Sequence, residues 1–425
     1  MSQENDTTLR ALKMYKGLVE VSALINAITD FNELLTAILD VARRVTNSEA
    51  GSLFLVNADR NLELAIARAS NAELPEGSRI VVPRGQGIAG WVLANRKSSL
   101  VVDAYADPRF YKEVDKKTGF RTRSILCVPL LHDHKEIGVL QVLNPLDKEA
   151  FDETDLEAFE AYGTLAATAI DKLQTIERQK QQARVDQELL FAREIQNSFL
   201  PQDLPEVPGL GFAATYRPAL NIGGDFYDVL EIGPDEIYFV AGDVSGKGIP
   251  AALLMAQSLS TLRLIIKPDV APDEALARWN EMLCGHSVRG MFITAILGRI
   301  TPSRRLVEVA SAGHCQPFRV AANGNATLLE VRNSPPLGIV GGLKYHVTSA
   351  SLSPREWLVF YTDGLTESFS PGNIMLDTTG VQQLLSPNDF GSAVDIVNRL
   401  QTGEEEHRGT AAPHDDLTIL ALGFQ

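Results

Sequence analysis

Carboxylates at the ends of strand-like runs recur at four places in the C-terminal half of this chain, three of them beside glycine. Asp225 lies in Gly223-Gly224-Asp225-Phe226-Tyr227-Asp228 and Asp243 in Gly242-Asp243-Val244-Ser245-Gly246-Lys247-Gly248. Asp363 precedes Gly364, and Asp415-Asp416 stand together near the end. Mg²⁺ and Mn²⁺ favour carboxylate, carbonyl and water oxygens. A glycine next to the carboxylate lets the backbone approach an ion and expose its carbonyl. One Asp-Gly pair at a strand end is equally a turn. Four such sites, gathered from about 190 residues of chain, are what an oxygen-ligand metal site would need.

The elements that must bring them together are legible as apolar runs. Glu236-Ile237-Tyr238-Phe239-Val240-Ala241 is rich in β-formers and leads into Asp243. Trp357 to Thr362 leads into Asp363, and Asp415-Asp416 opens Leu417-Thr418-Ile419-Leu420. Strands are expected at 212–216, 226–230, 236–243, 292–300, 305–311, 317–320, 327–331, 345–350, 356–362 and 417–422. Helices are expected at 249–266, with Ala251, Leu253, Leu254, Leu259 and Leu262 as its apolar residues, and at 272–284, with Leu276, Trp279 and Leu283. Further helices are expected near 379–385 and 391–401. Many strands around inserted helix pairs fit a two-sheet sandwich flanked by helices. Gly246-Lys247-Gly248 is not a phosphate-binding P-loop, because Gly248 follows the lysine where Ser or Thr is required and the upstream glycine is too near.

With these motifs, Ala312-Gly313-His314 and Tyr361-Thr362-Asp363-Gly364-Leu365-Thr366-Glu367, residues 186–425 resemble the metal-dependent protein phosphatases (PPM family), in the stage-II-sporulation-phosphatase branch. The resemblance implies an αββα sandwich and two divalent cations, Mn²⁺ or Mg²⁺. Asp243 would bridge both ions and Asp225 would bind one, with the carbonyl of Val244 as a further ligand. Asp363 and Asp415 would bind the other ion, with Asp416 the neighbour that could take that role instead. Two such ions about 3.5–4 Å apart clamp an in-line displacement at phosphorus and acidify the attacking water, so no Cys or Ser nucleophile is needed. Thr294, Gly313 and His314 match positions near the site, His314 as a structural residue or as a proton donor. Gly364 and Glu367 would shape the turn beside Asp363. Arg217 reads as an exposed surface arginine or as a contact to the substrate phosphate. The implied substrate is a small phosphorylated anti-sigma-factor antagonist in a partner-switching pathway.

The N-terminal half has a different pattern. Apolar residues recur at helical spacing from Leu9 to Ile28, and Asp30 with Glu33 suggests a capping box opening a second helix. Strand-like runs follow at 52–56, 62–68, 79–82, 124–130 and 136–143, and a long helix begins near Glu153. This is one α/β or α+β domain. Arg84 to Trp91 matches GxGxxG, yet a proline interrupts the step from strand to turn and the acidic partner for ribose is missing at its offset. The stretch, with Ser124 to Leu130 and Ile137 to Asn144, resembles a GAF sensory domain. Asn144, Phe151 and Asp155 match part of the pattern of cyclic-nucleotide-binding GAF domains, while Pro145 and Leu156 replace its lysine and glutamate. A cyclic nucleotide, another small ligand, and a ligand-free dimerisation or partner-binding role all remain open. His132 and His134 read as solvated turn residues rather than metal or haem ligands.

Between the halves, residues 164–199 contain no glycine and no proline and are rich in Gln, Glu, Lys, Arg and Ala. That composition reads as a long exposed or coiled-coil-like helix, with a homodimer expected through it. Leu173 and Ile176 mark one heptad seam, continuing to Lys180 and Ala183. Val185, Leu189, Ala192, Gln196 and Phe199 mark a second, out of phase with the first. The plain reading is that each seam packs on its own domain; the sharper one is a change of register on signalling.

The whole is thus an α+β chain: a GAF domain at 1–165, a helical connector at 166–200 and a phosphatase sandwich at 201–425. A net charge of −15 argues against nucleic acid or an anionic membrane as partner. Three scattered cysteines give no disulfide framework or zinc site. No leader and no 18-residue apolar run are visible, so a cytoplasmic protein is expected. The rival readings are a non-catalytic phosphoprotein-binding scaffold and a ligand sensor whose second half only docks effectors.

Overall fold

The structure, a computed structural model, describes residues 28–69, 80–112, 115, 120–233, 235–285, 290–386 and 389–425. The helix expected over 9–28 lies almost wholly outside the described residues, as does the start of the strand expected at 79–82. The chain divides into two compact units meeting at Arg184 and Val185.

The first unit is built on one antiparallel sheet. Its elements are α1 (Phe31–Val45), β1 (Ser48–Val56), β2 (Leu62–Ala69), β3 (Val81–Val82), α2 (Gly87–Asn95), β4 (Ser99–Val101), β5 (Ile125–His132), β6 (Lys135–Pro145) and α3 (Glu153–Asn197). The strand order is β3-β2-β1-β6-β5-β4. Asp30 caps α1 by accepting from the Glu33 N–H at 2.9 Å, as the Asp30–Glu33 spacing suggests. α1 buries Leu34, Leu35, Ile38, Leu39 and Ala42 against one sheet face, together with Phe159, Tyr162, Ala166, Ile170 and Leu173 of α3. The Tyr162 hydroxyl donates to the Ile38 carbonyl at 2.6 Å and so pins the two helices. α2 covers the opposite face with Ile88, Val92 and Leu93 on Phe54, Leu62, Ile125 and Val139.

The second unit begins within α3 and continues through β7 (Leu210–Arg217), β8 (Phe226–Gly233), β9 (Glu236–Val244), α4 (Ile249–Ile265) and α5 (Pro272–Gly285). Next come β10 (Ile293–Thr301), β11 (Leu306–Ala312), β12 (Phe318–Val320), β13 (Ala326–Leu328), β14 (Asn333–Ser334), β15 (Val347–Ser351) and β16 (Trp357–Tyr361). It closes with α6 (Asp363–Thr366), α7 (Asp377–Leu385), α8 (Ala393–Arg408) and β17 (Leu417–Phe424). One sheet runs β14-β11-β10-β9-β8 with β15 beside β11; the other runs β13-β12-β16-β17-β7. Their inner faces meet in an apolar core in which Phe239 and Phe360 pack with ring centroids 4.7 Å apart. α4 and α5 cover the outer face of the first sheet, where Trp279 is fully buried edge-on to Phe226. α7 and α8 cover the outer face of the second. This is the αββα layering, and it leaves the ends of β8, β9, β16 and β17 to carry the site.

One local expectation changes. Leu253 is exposed, because Ala251, Met255, Leu259 and Leu262 already fill the inward face of α4. α3 is one unbroken helix through both seams: Leu173 is buried with the sensory core, residues 177–188 are exposed, and Gln196 is buried with the second unit. Of the two seams, Leu173 and Gln196 are buried, while Lys180, Ala183 and Val185 are exposed. Among the described residues, no helix is long and apolar enough to cross a membrane.

Candidate active site

Asp225 immediately precedes β8, and Asp243 sits near the end of β9, which pairs with β8 so that Phe226 faces Gly242. This register puts the two carboxylates side by side, within hydrogen-bond reach. In the second sheet, β16 leads into Thr362 and Asp363 while β17 begins just after Asp415 and Asp416. The sheets are joined at this point by Asp225 itself. Its Oδ2 accepts from the Thr362 hydroxyl at 2.6 Å and from the Thr418 hydroxyl at 2.8 Å. Two threonines thus fix one carboxylate oxygen and leave the other to the cluster.

The electrostatics follow from crowding. Burial, then the charges of Asp243 and Asp416, hold Asp225 well above the usual carboxylate range. Burial and the Asp363 charge push Asp243 up to about 7. Burial, Glu367 and Asp415 raise Asp363. Carboxylates that repel one another in a half-buried site favour a cation among them. Among the described residues no three His, Cys, Asp or Glu side chains already converge as a bare-ion cage. Mg²⁺ keeps several of its waters, so such a cage is not required of it. The backbone also fits an ion: a Cβ on Gly224 would lie 2.7 Å from the Val244 carbonyl oxygen and 3.3 Å from Asp243 Oδ1. Glycine keeps that carbonyl and carboxylate uncovered.

Asp415 and Asp416 have different duties. Asp416 is buried, its Oδ1 accepting from the Ala219 N–H at 2.8 Å and its Oδ2 from the Gly224 N–H at 2.6 Å. It braces the 219–224 loop from below. Asp415 is more exposed, and its Oδ2 lies 3.0 Å from the Lys247 ammonium. Gly364 lets the turn after Asp363 press against this pair, since a Cβ there would meet the Asp416 carbonyl at 1.8 Å.

Other residues are sorted by their partners. Thr294 faces Asp243 across β9 and β10, and its hydroxyl bonds His314 Nδ1 at 3.0 Å. Burial lowers His314 to about 4, so it is a neutral prop behind the Asp243 strand. Arg217 is neither an exposed arginine nor a phosphate contact: it pairs with Glu404 and Glu405 of α8, because β7 lies under that helix. Asp228, the second carboxylate of Gly-Gly-Asp-Phe-Tyr-Asp, is buried in an ion pair with Arg263 at 2.7 Å. Arg263 also donates to the Phe199 carbonyl at 2.7 Å. Cys315 is held near 12, by burial first and then by Asp363 and Asp225, which keeps its thiol protonated. The sequence reading missed Thr362, Thr418, Lys247 and Gln196 as site residues. Only the position of Thr362 next to Asp363, and of Thr418 two residues past Asp416, signalled the threonines.

In the sensory unit, Asn144 is fully buried with φ 56°. Its Oδ1 accepts from the N–H groups of Arg123 and Ser124 at 2.6 and 3.3 Å, and its Nδ2 donates to Glu49 and to the Arg121 carbonyl at 2.9 Å each. Phe151 enters the core beside it. Pro145 replaces the lysine of the pattern, but Lys148 pairs with Asp155 and with Asp152, the latter at 2.6 Å. His132 Nδ1 lies 3.3 Å from the Thr168 hydroxyl, so that histidine rests on α3 rather than in open solvent.

Comparison with known proteins agrees with both halves. Residues 30–170 match the family model "GAF domain", and residues 233–425 match "Stage II sporulation protein E (SpoIIE)". The chain joins a GAF domain to a SpoIIE-family domain. Among curated proteins it is 27% identical over 263 residues to Protein IcfG of Synechocystis sp., covering 55% of this chain and 41% of that one. It is 35% identical over 185 residues to the cGMP-specific 3',5'-cyclic phosphodiesterase of Drosophila ananassae, covering 39% of this chain and 16% of that one. The chain therefore spans less than half the length of these relatives. The solved SiaA-PP2C domain of Pseudomonas aeruginosa matches with TM-score 0.52 at 20% identity, covering 58% of this chain and 98% of that chain. This likeness shows the PP2C-like fold of the SpoIIE-family half.

Proposed function

We propose that this chain is a divalent-cation-dependent protein serine/threonine phosphatase whose output is set by its GAF domain. The observation that carries the reading is the gathering of Asp225, Asp243 and Asp363 in one buried site, where burial and the Asp363 charge hold Asp243 near 7. Asp225, Asp243, the Val244 carbonyl, Asp363 and Asp415 would hold two ions, Mn²⁺ or Mg²⁺. When bound, such ions neutralise phosphoryl charge and acidify water for in-line attack on the phosphoester. The protein's own part is positional. Thr362 and Thr418 fix one oxygen of Asp225, Asp416 braces the Gly223–Gly224 turn, and Thr294 with neutral His314 backs the Asp243 strand. Cys315, kept protonated, is no nucleophile for a phosphocysteine route.

The division into a sensor at 1–165, a connector at 166–200 and a catalytic domain at 201–425 belongs to this reading, as does a cytoplasmic location. The substrate we assign is a phosphorylated anti-sigma-factor antagonist, supported by the family resemblance of the motifs. A homodimer is supported by Leu190, Phe191 and Ile195, which leave an apolar strip of α3 exposed. For the sensor, the Lys148–Asp155 pair and the likeness to a cGMP-specific phosphodiesterase make a cyclic nucleotide the first ligand to test.

The experiment is hydrolysis of a phosphoserine peptide and of p-nitrophenyl phosphate by the full chain with Mn²⁺, beside Asp243→Asn. Turnover that needs both Mn²⁺ and Asp243 is expected. A wild-type chain that binds phosphoproteins yet hydrolyses none, with Mn²⁺ or Mg²⁺, would establish the scaffold instead.

A further inference from the structure

We infer that Lys247 is the side chain that grips the phosphoryl oxygens of the substrate; this rests on the phosphatase reading and adds its phosphate-binding group. Lys247 leaves the end of β9 in a Gly-Lys-Gly turn that is not a P-loop. Its ammonium lies 3.0 Å from Asp415 Oδ2 and 2.7 Å from the His414 carbonyl oxygen. It thus stands beside Asp415, one member of the carboxylate cluster, with its side chain 47% exposed.

A phosphoserine carries a charge of about −1.5 to −2 near neutral pH and offers three acceptor oxygens. Asp225, Asp243, Asp363 and Asp415 repel such a group, so a cation beside them lowers the cost of its approach. Two arginines of the same domain are committed elsewhere. Arg217 is held by Glu404 and Glu405, and Arg263 by Asp228 and the Phe199 carbonyl. Lys247 has no such commitment to a buried partner. An ion pair at its exposure contributes about 0–1 kcal/mol, so a better anion can take the ammonium.

The turn is built for that exchange. Gly246 and Gly248 both have positive φ, 95° and 77°, and a Cβ on either would meet nothing within 4 Å. The lysine is therefore carried on an uncrowded hinge, while its bond to the His414 carbonyl tethers it to the site. Were Asp415 to hold a divalent cation, Lys247 would lose part of this carboxylate's charge and its ammonium would be free to donate to a phosphoryl oxygen. No bond is made or broken by Lys247: it supplies N–H donors and charge.

The test is calorimetric titration of inorganic phosphate into the full-length protein in excess Mn²⁺, for wild type, Lys247→Met and Lys247→Arg, with Mn²⁺ affinity measured separately. A charge-assisted hydrogen bond of ordinary strength predicts phosphate binding weaker by about tenfold or more in Lys247→Met. Lys247→Arg should recover part of the loss, and Mn²⁺ affinity should be unchanged or tighter, because Asp415 loses a competitor. Equal phosphate affinity in wild type and Lys247→Met overturns the inference, as does a wild type that binds no phosphate. A matching fall in Mn²⁺ affinity also overturns it, since the lysine would then only orient Asp415. Phosphate binding that depends on Lys247 in a protein with no Mn²⁺-dependent turnover would uphold the contact while refuting the phosphatase.

Discussion

Gln196, in the last turn of α3, holds Gly223 by both of its backbone groups. Its Nε2 donates to the Gly223 carbonyl at 2.5 Å, and its Oε1 accepts from the Gly223 N–H at 3.3 Å. Gly223 is two residues from Asp225, so the end of the long helix touches the loop that carries a candidate ligand.

Gln196→Ala would leave both Gly223 groups buried without a partner, at about 1–3 kcal/mol for each group left unsatisfied. Because the strain falls on the Gly223–Asp225 turn, Mn²⁺ affinity should drop while the sensory domain melts as before. Calorimetric titration with Mn²⁺ and differential scanning calorimetry read the two effects separately. Unaltered Mn²⁺ affinity would mean that the turn is held well enough by Asp416 alone.

Asp415 and Asp416 should separate cleanly. Asp416→Ala removes the acceptor of the Ala219 and Gly224 N–H groups, and losing each is expected to cost about 1–3 kcal/mol of stability with or without metal. Asp415→Asn should melt like wild type without metal, yet lose most of the stabilisation that Mn²⁺ confers. Thermal unfolding of both variants with Mn²⁺ and with a chelator decides it. Equal behaviour of the two would contradict their different bonding.

The pH dependence follows from Asp243. Its carboxyl is raised to about 7, so the folded protein keeps a proton that the unfolded chain has already released. Without divalent cations, stability should therefore fall as pH rises from about 4 to about 7, by the linkage between proton uptake and folding. Mn²⁺ must displace that proton, so its affinity should grow by up to about tenfold per pH unit over this range and level off above it. Titrations between pH 5.5 and 8 test this, and an affinity indifferent to pH would refute it.

Leu190, Phe191 and Ile195 are each more than half exposed on α3. If this strip joins two copies, Leu190→Ser with Phe191→Ser should convert a dimer to a monomer in sedimentation velocity. Little or no melting temperature should be lost within each domain, since these side chains support no core of their own chain. A wild type that sediments as a monomer would dismiss the dimer.

Much of this molecule was written in local sequence. Strand-forming runs with glycine beside an aspartate at one end marked where Asp225, Asp243 and Asp363 would stand, because β-propensity and turn chemistry are properties of neighbouring residues. The capped helix at Asp30 and the long helix through the glycine-free stretch at 164–199 were legible for the same reason. What the order of residues leaves open is which side chains meet across distant segments. Asp415 and Asp416 are adjacent and chemically identical; only the placement of the 219–224 loop above β17 commits Asp416 to backbone N–H groups and turns Asp415 outward. Asp228 lies in the same motif as Asp225, yet the packing of α4 on β8 gives it Arg263 as a partner. Arg217 found Glu404 some 187 residues away, and Lys148 found Asp152 and Asp155. The two threonines that fix Asp225 lie on the opposite sheet from it. Hydrophobic pattern determines that two sheets form and stack; the closure of one sheet on the other decides which polar groups share a site.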